Sequence, residues 1–192
     1  MSDHNVNYMN PCIENGRALL DLILSRRSYR GKYKPDRVPR EDLTAILEVG
    51  LAAPSGCNKQ TASFVAVDDP ALLDRLKALV TPCVARTAPA WLLVLTRPLV
   101  AYRDRRFNVQ DYAAAIENML LAIHALGYAS CWYEGHITDE DDIAGQLARA
   151  LDLPEPYRVV CVLPVGVPAQ APAAPNKAPY ERRMGFNGCP GV

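Results

Sequence analysis

The sequence predicts an α+β domain in which helices pack around a central sheet, on three observations. Amphipathic helical periods near residues 40–53, 70–80 and 109–126 alternate with short apolar runs of strand length at 63–67, 88–96 and 157–166. Helices and strands intermingle, and composition shifts only at the Pro- and Ala-rich stretch from Pro168 to Pro179. With 192 residues, 49% hydrophobic and 22% charged, the chain has enough material for one globule that buries roughly 70% of its unfolded surface. One domain is therefore expected over 1–192, with 1–15 as an N-terminal arm and 168–192 as an extended C-terminal arm.

In chain order, residues 16–27 read as a helix. It carries Leu19, Leu20, Leu22, Ile23 and Leu24 into the stretch Ser25-Arg26-Arg27-Ser28-Tyr29-Arg30. Gly31 and Pro35 break the pattern, and Val38-Pro39-Arg40-Glu41-Asp42 restarts it, because proline and acids suit a first helical turn. Leu43, Ile46, Leu47 and Leu51 form the stripe of that helix to about Ala53. A breaker-rich loop, Ala52 to Gln60, opens into the strand Ser63–Val67. Asp68-Asp69-Pro70 closes the strand and starts a helix with Leu72, Leu73, Leu76 and Leu79 on one side.

Ala88 to Thr96 is continuously apolar, as a strand covered on two faces must be. Residues 97–108 are charged and irregular, and are expected to form a mobile, lid-like segment or a solvated loop. The longest helix, 109–126, is apolar nearly all round, as core or interface helices are, and Gly127 fits its C-cap. Ala129 to Glu134 reads as a strand. Thr138-Asp139-Glu140-Asp141 resembles a capping box for a helix running to about Leu151, which Pro154 and Pro156 stop. Tyr157 to Gly166 is the last strand.

Charge and composition exclude several classes. Basic and acidic side chains balance at 21 each, so long-range attraction to nucleic acid or an acidic membrane is not favoured. No apolar run reaches the ~20 residues that span a bilayer, and Met1–Asn10 lacks the pattern of a signal peptide, so a cytoplasmic protein is expected. Six scattered cysteines without a Cys-x-x-Cys pair read as free thiols, and His4, His124 and His136 have no metal-ligand spacing.

Two stretches carry chemistry. Arg26, Arg27 and Arg30 set three guanidinium forks within five residues, beside Ser28. Such a cluster repels itself unless an anion or solvent lies between the charges, and guanidinium matches phosphate oxygens; the ordinary alternative is a solvated helix end. The loop Ala53-Pro54-Ser55-Gly56-Cys57-Asn58-Lys59-Gln60 offers backbone N–H groups and the amides of Asn58 and Gln60. These can pair the edge of a planar heterocycle, although the loop equally reads as a plain connector.

Taken together, these stretches resemble the FMN-dependent nitroreductase family. The resemblance lies in Arg26 to Arg30, Ala53 to Gln60, Asp111 through Asn118-Met119-Leu120-Leu121-Ala122 to Gly127, Glu134-Gly135, and Leu163-Pro164-Val165-Gly166, in that order. It covers roughly residues 17–183. It implies a central mixed, mostly antiparallel sheet flanked by helices, in an intertwined homodimer that holds FMN between its subunits. Arg26, Arg27, Ser28 and Arg30 would then hold the phosphate and ribityl chain, with Lys177, or else Arg182 or Arg183, closing over the phosphate. Pro54, Ser55 and Asn58 would come from the partner subunit, with Asn58 near the pyrimidine edge, and Gln60 would be a further cofactor contact. Glu134 and Gly135 would form the strand end whose backbone approaches the flavin ring.

The resemblance further implies a ping-pong oxidoreductase that moves hydride from NAD(P)H through FMN to a nitroaromatic, quinone or similar electron-poor acceptor. The protein then needs no catalytic residue of its own, in keeping with a sequence that offers no nucleophile triad, metal site or G-x-G-x-x-G fingerprint. Flavin fragmentation, dehalogenation, peptide oxidation and flavin binding without turnover are the alternatives. Thr61-Ala62 stands where the family often has Pro-Trp, which bears on substrate preference. Cys57 sits beside the proposed flavin contacts. Were the donor NADPH, its 2′-phosphate would need a basic patch, for which Arg103, Arg105 and Arg106 are the candidates.

Overall fold

The computed structural model describes residues 16–81, 83, 85–135, 137 and 141–189. Its sheet has the order β1 (Ala62–Val67), β2 (Ala90–Thr96), β5 (Arg158–Val165), antiparallel throughout. β2 lies in the middle and all seven of its residues are buried. Trp91, Leu93 and Leu95 face a core built with α3 (Pro70–Leu79) and α5 (Ile143–Ala150), which adds Leu73, Leu76, Ile143 and Leu147. Ala90, Leu92 and Val94 face a second core, built with α2 (Arg40–Leu51) and α4 (Asn108–Ala125) from Leu43, Ile46, Ile116, Met119 and Ile123. The unbroken apolar run is the mark of this two-sided burial.

Helix starts follow the expected chemistry. The Asp69 side chain accepts the Leu72 N–H at 2.8 Å, and Pro70 occupies the first turn of α3. Pro39 precedes α2, with Glu41 and Asp42 in its first turn. Gly50 lets α2 and α4 approach closely, because a Cβ there would lie 2.8 Å from Met119. Gly127 takes φ +81° after α4, and its N–H reaches His124 O at 3.0 Å.

Three expectations need correcting. The 129–134 strand is only a set of single bridges: Ala129 with Gly166, Tyr133 with Val162, and Ser130 in parallel with Ser28. The register shared by the first two bridges sets Cys131 opposite Pro164, which has no N–H to donate, so the ladder fails at its centre. The parallel Ser28 bridge is nonetheless what makes the arrangement mixed. Residues 97–108 are also more regular than expected: β3 (Val100–Tyr102) and β4 (Arg105–Arg106) form a hairpin. Finally, α5 begins at Ile143, after Asp142 at φ +53°, and no side chain caps it. The expected capping residues Thr138, Asp139 and Glu140 lie outside the described residues, as do His4, Cys12 and His136.

α1 (Gly16–Ser25) packs against α4 yet buries none of its residues fully; Leu19, Leu20, Ile23 and Leu24 stay 43–72% exposed. Residues 168–179 form the expected extended arm, followed by a short 3-10 turn, Tyr180–Arg182. The arm starts beside the basic stretch. Lys34 N–H donates to Val167 O at 2.8 Å, and Ala169 N–H donates to Lys32 O at 2.9 Å.

Candidate functional site

The basic stretch leaves α1 and is fixed at Tyr29, a buried ring packed edge-on against Tyr33 at 5.1 Å. Tyr29 N–H donates to Ser130 O at 2.8 Å. With the backbone pinned there and along the arm, Arg26, Arg27, Ser28 and Arg30 line one cavity of about 620 Å³, and Lys177 lines it from the arm. The four guanidinium and ammonium groups are not equivalent. Arg27 Nη1 donates to the carbonyls of Leu24 and Arg26, so this side chain closes the end of α1. Arg26 Nε lies 3.5 Å from Glu117 of α4. Ser28, Arg30 and Lys177 are exposed, and neither Arg30 nor Lys177 is in an ion pair with a described residue, so these two are the uncommitted cations. Arg182 and Arg183 are exposed and do not line this cavity.

Pro54, Ser55 and Gln60 line a different cavity, of about 360 Å³, together with Arg97 and Asp111. Their loop is cramped. Cys57, Asn58 and Gln60 have φ of 51°, 53° and 48°, a left-handed backbone that non-glycine residues rarely adopt. Surrounding bonds enforce it. Gln60 N–H donates to Ser55 Oγ at 3.0 Å, and Arg97 Nη2 donates to Gln60 O at 3.1 Å. Gly56 sits against Phe107, where a Cβ would come within 2.5 Å of the ring.

The anchor of the loop is Asp111, 3% exposed in the first turn of α4. Its Oδ1 accepts Gly56 N–H at 2.7 Å, and its Oδ2 accepts the Thr61 hydroxyl at 2.6 Å. Thr61 therefore has a definite task. Asn58 is exposed at the turn and lines neither cavity.

Glu134 turns its carboxylate inward, accepting the Tyr112 hydroxyl at 2.9 Å on one oxygen and the Trp132 indole N–H on the other. Burial, then this bond, pushes the Tyr112 hydroxyl up to about 12. Both Glu134 oxygens being engaged, what the segment presents is backbone, and Gly135 beside it has open space where a Cβ would stand.

Within one chain the structure thus gathers Arg26, Arg27, Ser28, Arg30 and Lys177. It keeps them apart from Pro54, Ser55 and Gln60, for the two cavities share no lining residue. Sequence reasoning missed Asp111, Arg97, Tyr112 and Trp132 as positioning groups. The one sequence signal at Asp111 is an acid in the first turn of a helix, which helix polarity already accounts for. His124 is half-buried with Nε2 2.8 Å from Ser25 Oγ, as a packed side chain rather than part of a triad. Cys57, Cys83, Cys131, Cys161 and Cys189 are free thiols.

The model of the Nitroreductase family matches residues 23–86 and 78–167. A protein of Archaeoglobus fulgidus, provisionally named NADH dehydrogenase/NAD(P)H nitroreductase, is 33% identical over 169 residues, covering 88% of this chain and 92% of its own. The crystal structure of a nitroreductase with bound FMN from Bacteroides fragilis superposes with a TM-score of 0.72 at 29% identity, covering 88% of this chain and 98% of that one. An FMN-dependent nitroreductase from Clostridium difficile superposes at 0.74 with 26% identity, covering 88% and 99%. From the matched span and the shared fold, the chain belongs to the nitroreductase family.

Proposed function

We propose that the protein is an FMN-dependent oxidoreductase that takes hydride from NAD(P)H and delivers it to a nitroaromatic, quinone or similar electron-poor acceptor. The observation that carries this is the convergence of Arg26, Ser28, Arg30 and Lys177 on one cavity of about 620 Å³. A phosphate is a dianion that wants several fixed donors, and guanidinium forks with a hydroxyl supply them. Bound there, FMN would supply the two-electron chemistry. The chain's own residues bind and orient. Arg30 and Lys177 hold charge against the phosphate, Arg27 and Tyr29 fix the stretch that carries Arg30, and Glu134 holds Gly135 in place. Asp111 stiffens the 56–61 loop, whose amides would face the ring edge from a partner subunit.

The same reading includes a homodimer. Leu19, Leu20, Ile23 and Leu24 on α1 lie exposed, as do Val49 and Leu51 on α2, and apolar surface massed in this way is the signature of an interface. Free cysteines at all five described positions suit the reducing cytoplasm.

A visible spectrum tests the proposal. The purified protein is expected to be yellow, to bleach anaerobically with NADPH or NADH, and to recover colour with a quinone. Arg30→Ala is expected to weaken FMN retention roughly 10- to 100-fold, one charge-assisted phosphate contact being lost without disturbing the fold. A wild-type protein that takes up no FMN sinks the proposal; a flavin-loaded protein inert to both nucleotides sinks the donor assignment.

A further inference from the structure

The β3–β4 hairpin, which carries the candidate basic patch Arg103, Arg105 and Arg106, lines neither of the two cavities above. It joins the sheet to α4 through a two-residue turn, Arg103-Asp104, with φ of 44° and 62°. Both residues are left-handed, the conformation of the tightest hairpin turn, usually met by Asn-Gly. The ribbon is short and solvent-facing, with Tyr102 51% exposed and Arg103, Arg105 and Arg106 all exposed. Tyr102 pairs across the ladder with Arg105, and paired residues share one face of a ribbon. Arg103 folds back over the Tyr102 ring, its guanidinium carbon 5.1 Å from the centroid. One face therefore carries an aromatic ring flanked by two guanidinium groups. Arg106, next along β4, pairs with Val100 beyond a register shift that leaves one extra residue in β3, and so points to the other face.

Three arginines and one acid, Asp104, lie within four residues of a chain with no net charge. None of the arginines is ion-paired with a described residue. The patch also stands beside the candidate site. Phe107, directly after β4, packs on Gly56, and β3 touches the 56–58 turn.

We propose that this face of the hairpin binds the 2′-phosphate of NADPH between Arg103 and Arg105, making the enzyme select NADPH over NADH. The inference rests on the nicotinamide-dependent reading above and names its donor. Guanidinium groups match phosphate as they match no neutral ribose hydroxyl, and Tyr102 gives the attached sugar or base an apolar wall. Arg106 takes no part.

Calorimetric titration of the whole protein with 2′,5′-ADP and with 5′-AMP tests this without relying on turnover. The expected result is binding of 2′,5′-ADP about tenfold tighter or more, a gap that shrinks as salt is raised. Arg103→Ala and Arg105→Ala should each close most of the gap, whereas Arg106→Ala should leave it unchanged. Equal affinities in the wild type overturn the assignment. So does a gap that survives the Arg103→Ala/Arg105→Ala double variant, or one that Arg106→Ala removes as completely. The visible spectrum of the same samples separates the two proposals. A colourless protein with the gap defeats the flavin reading and supports the hairpin; a yellow protein without it overturns the hairpin alone.

Discussion

Asp111 joins residues 55 and 50 positions away, since one carboxylate oxygen holds Gly56 N–H and the other the Thr61 hydroxyl. Both partners of the second bond are buried, at 3% and 1% exposure. Thr61→Val keeps the shape and removes the donor, leaving a buried carboxylate oxygen unmet. The expected cost is about 2–3 kcal/mol of stability, read as a lower urea midpoint at unchanged m-value. A midpoint equal to wild type would mean that water replaces the hydroxyl. The basic cluster was legible from sequence because its meaning is local: three arginines within five residues repel each other wherever they lie. Asp111 was not, because an acid in a first helical turn is already explained by helix polarity. Its second task exists only once the fold has brought a distant loop to it. The same holds for Glu134, whose partners Tyr112 and Trp132 read as core aromatics until the structure turns both donors onto one carboxylate.

At the scale of elements, hydrophobic period placed α2, α3, α4 and the three sheet strands, because each buries a stripe or a face and periodicity records burial directly. It failed where backbone bonding rather than burial decides. Residues 129–133 have strand-like composition, but Pro164 opposite Cys131 interrupts their ladder. The Arg103-Asp104 turn lacks the glycine that announces such a hairpin. α1 shows a further gap: its apolar residues promised burial, and within one chain they find little. Leu20→Glu/Leu24→Glu puts two charges on that face, where the wild-type side chains are 50% and 72% exposed. If a second copy covers the face, light scattering will show a monomer in place of the dimer. FMN retention will fall with it, because the two sets of candidate contacts then separate. An unchanged mass would refute the interface.

Across the whole molecule, several acidic protons are held more tightly than usual. Burial raises the Cys131 thiol from an ordinary 9.0 to about 11, with Arg30 opposing. The bond to Asp42, then burial, takes the Tyr128 hydroxyl from 10.0 to about 12, and Tyr112 matches it. Burial lifts Cys161 well above its usual value too. The folded state keeps these protons where the unfolded chain releases them, so their contribution is complete below pH 9 and is lost as pH climbs through 11 to 12. Cys131 alone accounts for something on the order of 2 to 3 kcal/mol. Urea midpoints should therefore decline steadily from pH 9 to pH 11, and Tyr128→Phe should flatten the upper part of the slope. A level profile over that range would contradict these assignments.

The cramped loop at Cys57, Asn58 and Gln60 has a consequence for any attempt to harden the protein. A left-handed backbone at a non-glycine residue costs roughly 1–2 kcal/mol, somewhat less at asparagine. A laboratory selection for heat resistance alone would reach this turn early, since glycine at 57 or 60 removes the crowding. The same exchange lets the peptide planes wander, and the hardiest descendants would be those whose pocket had gone slack.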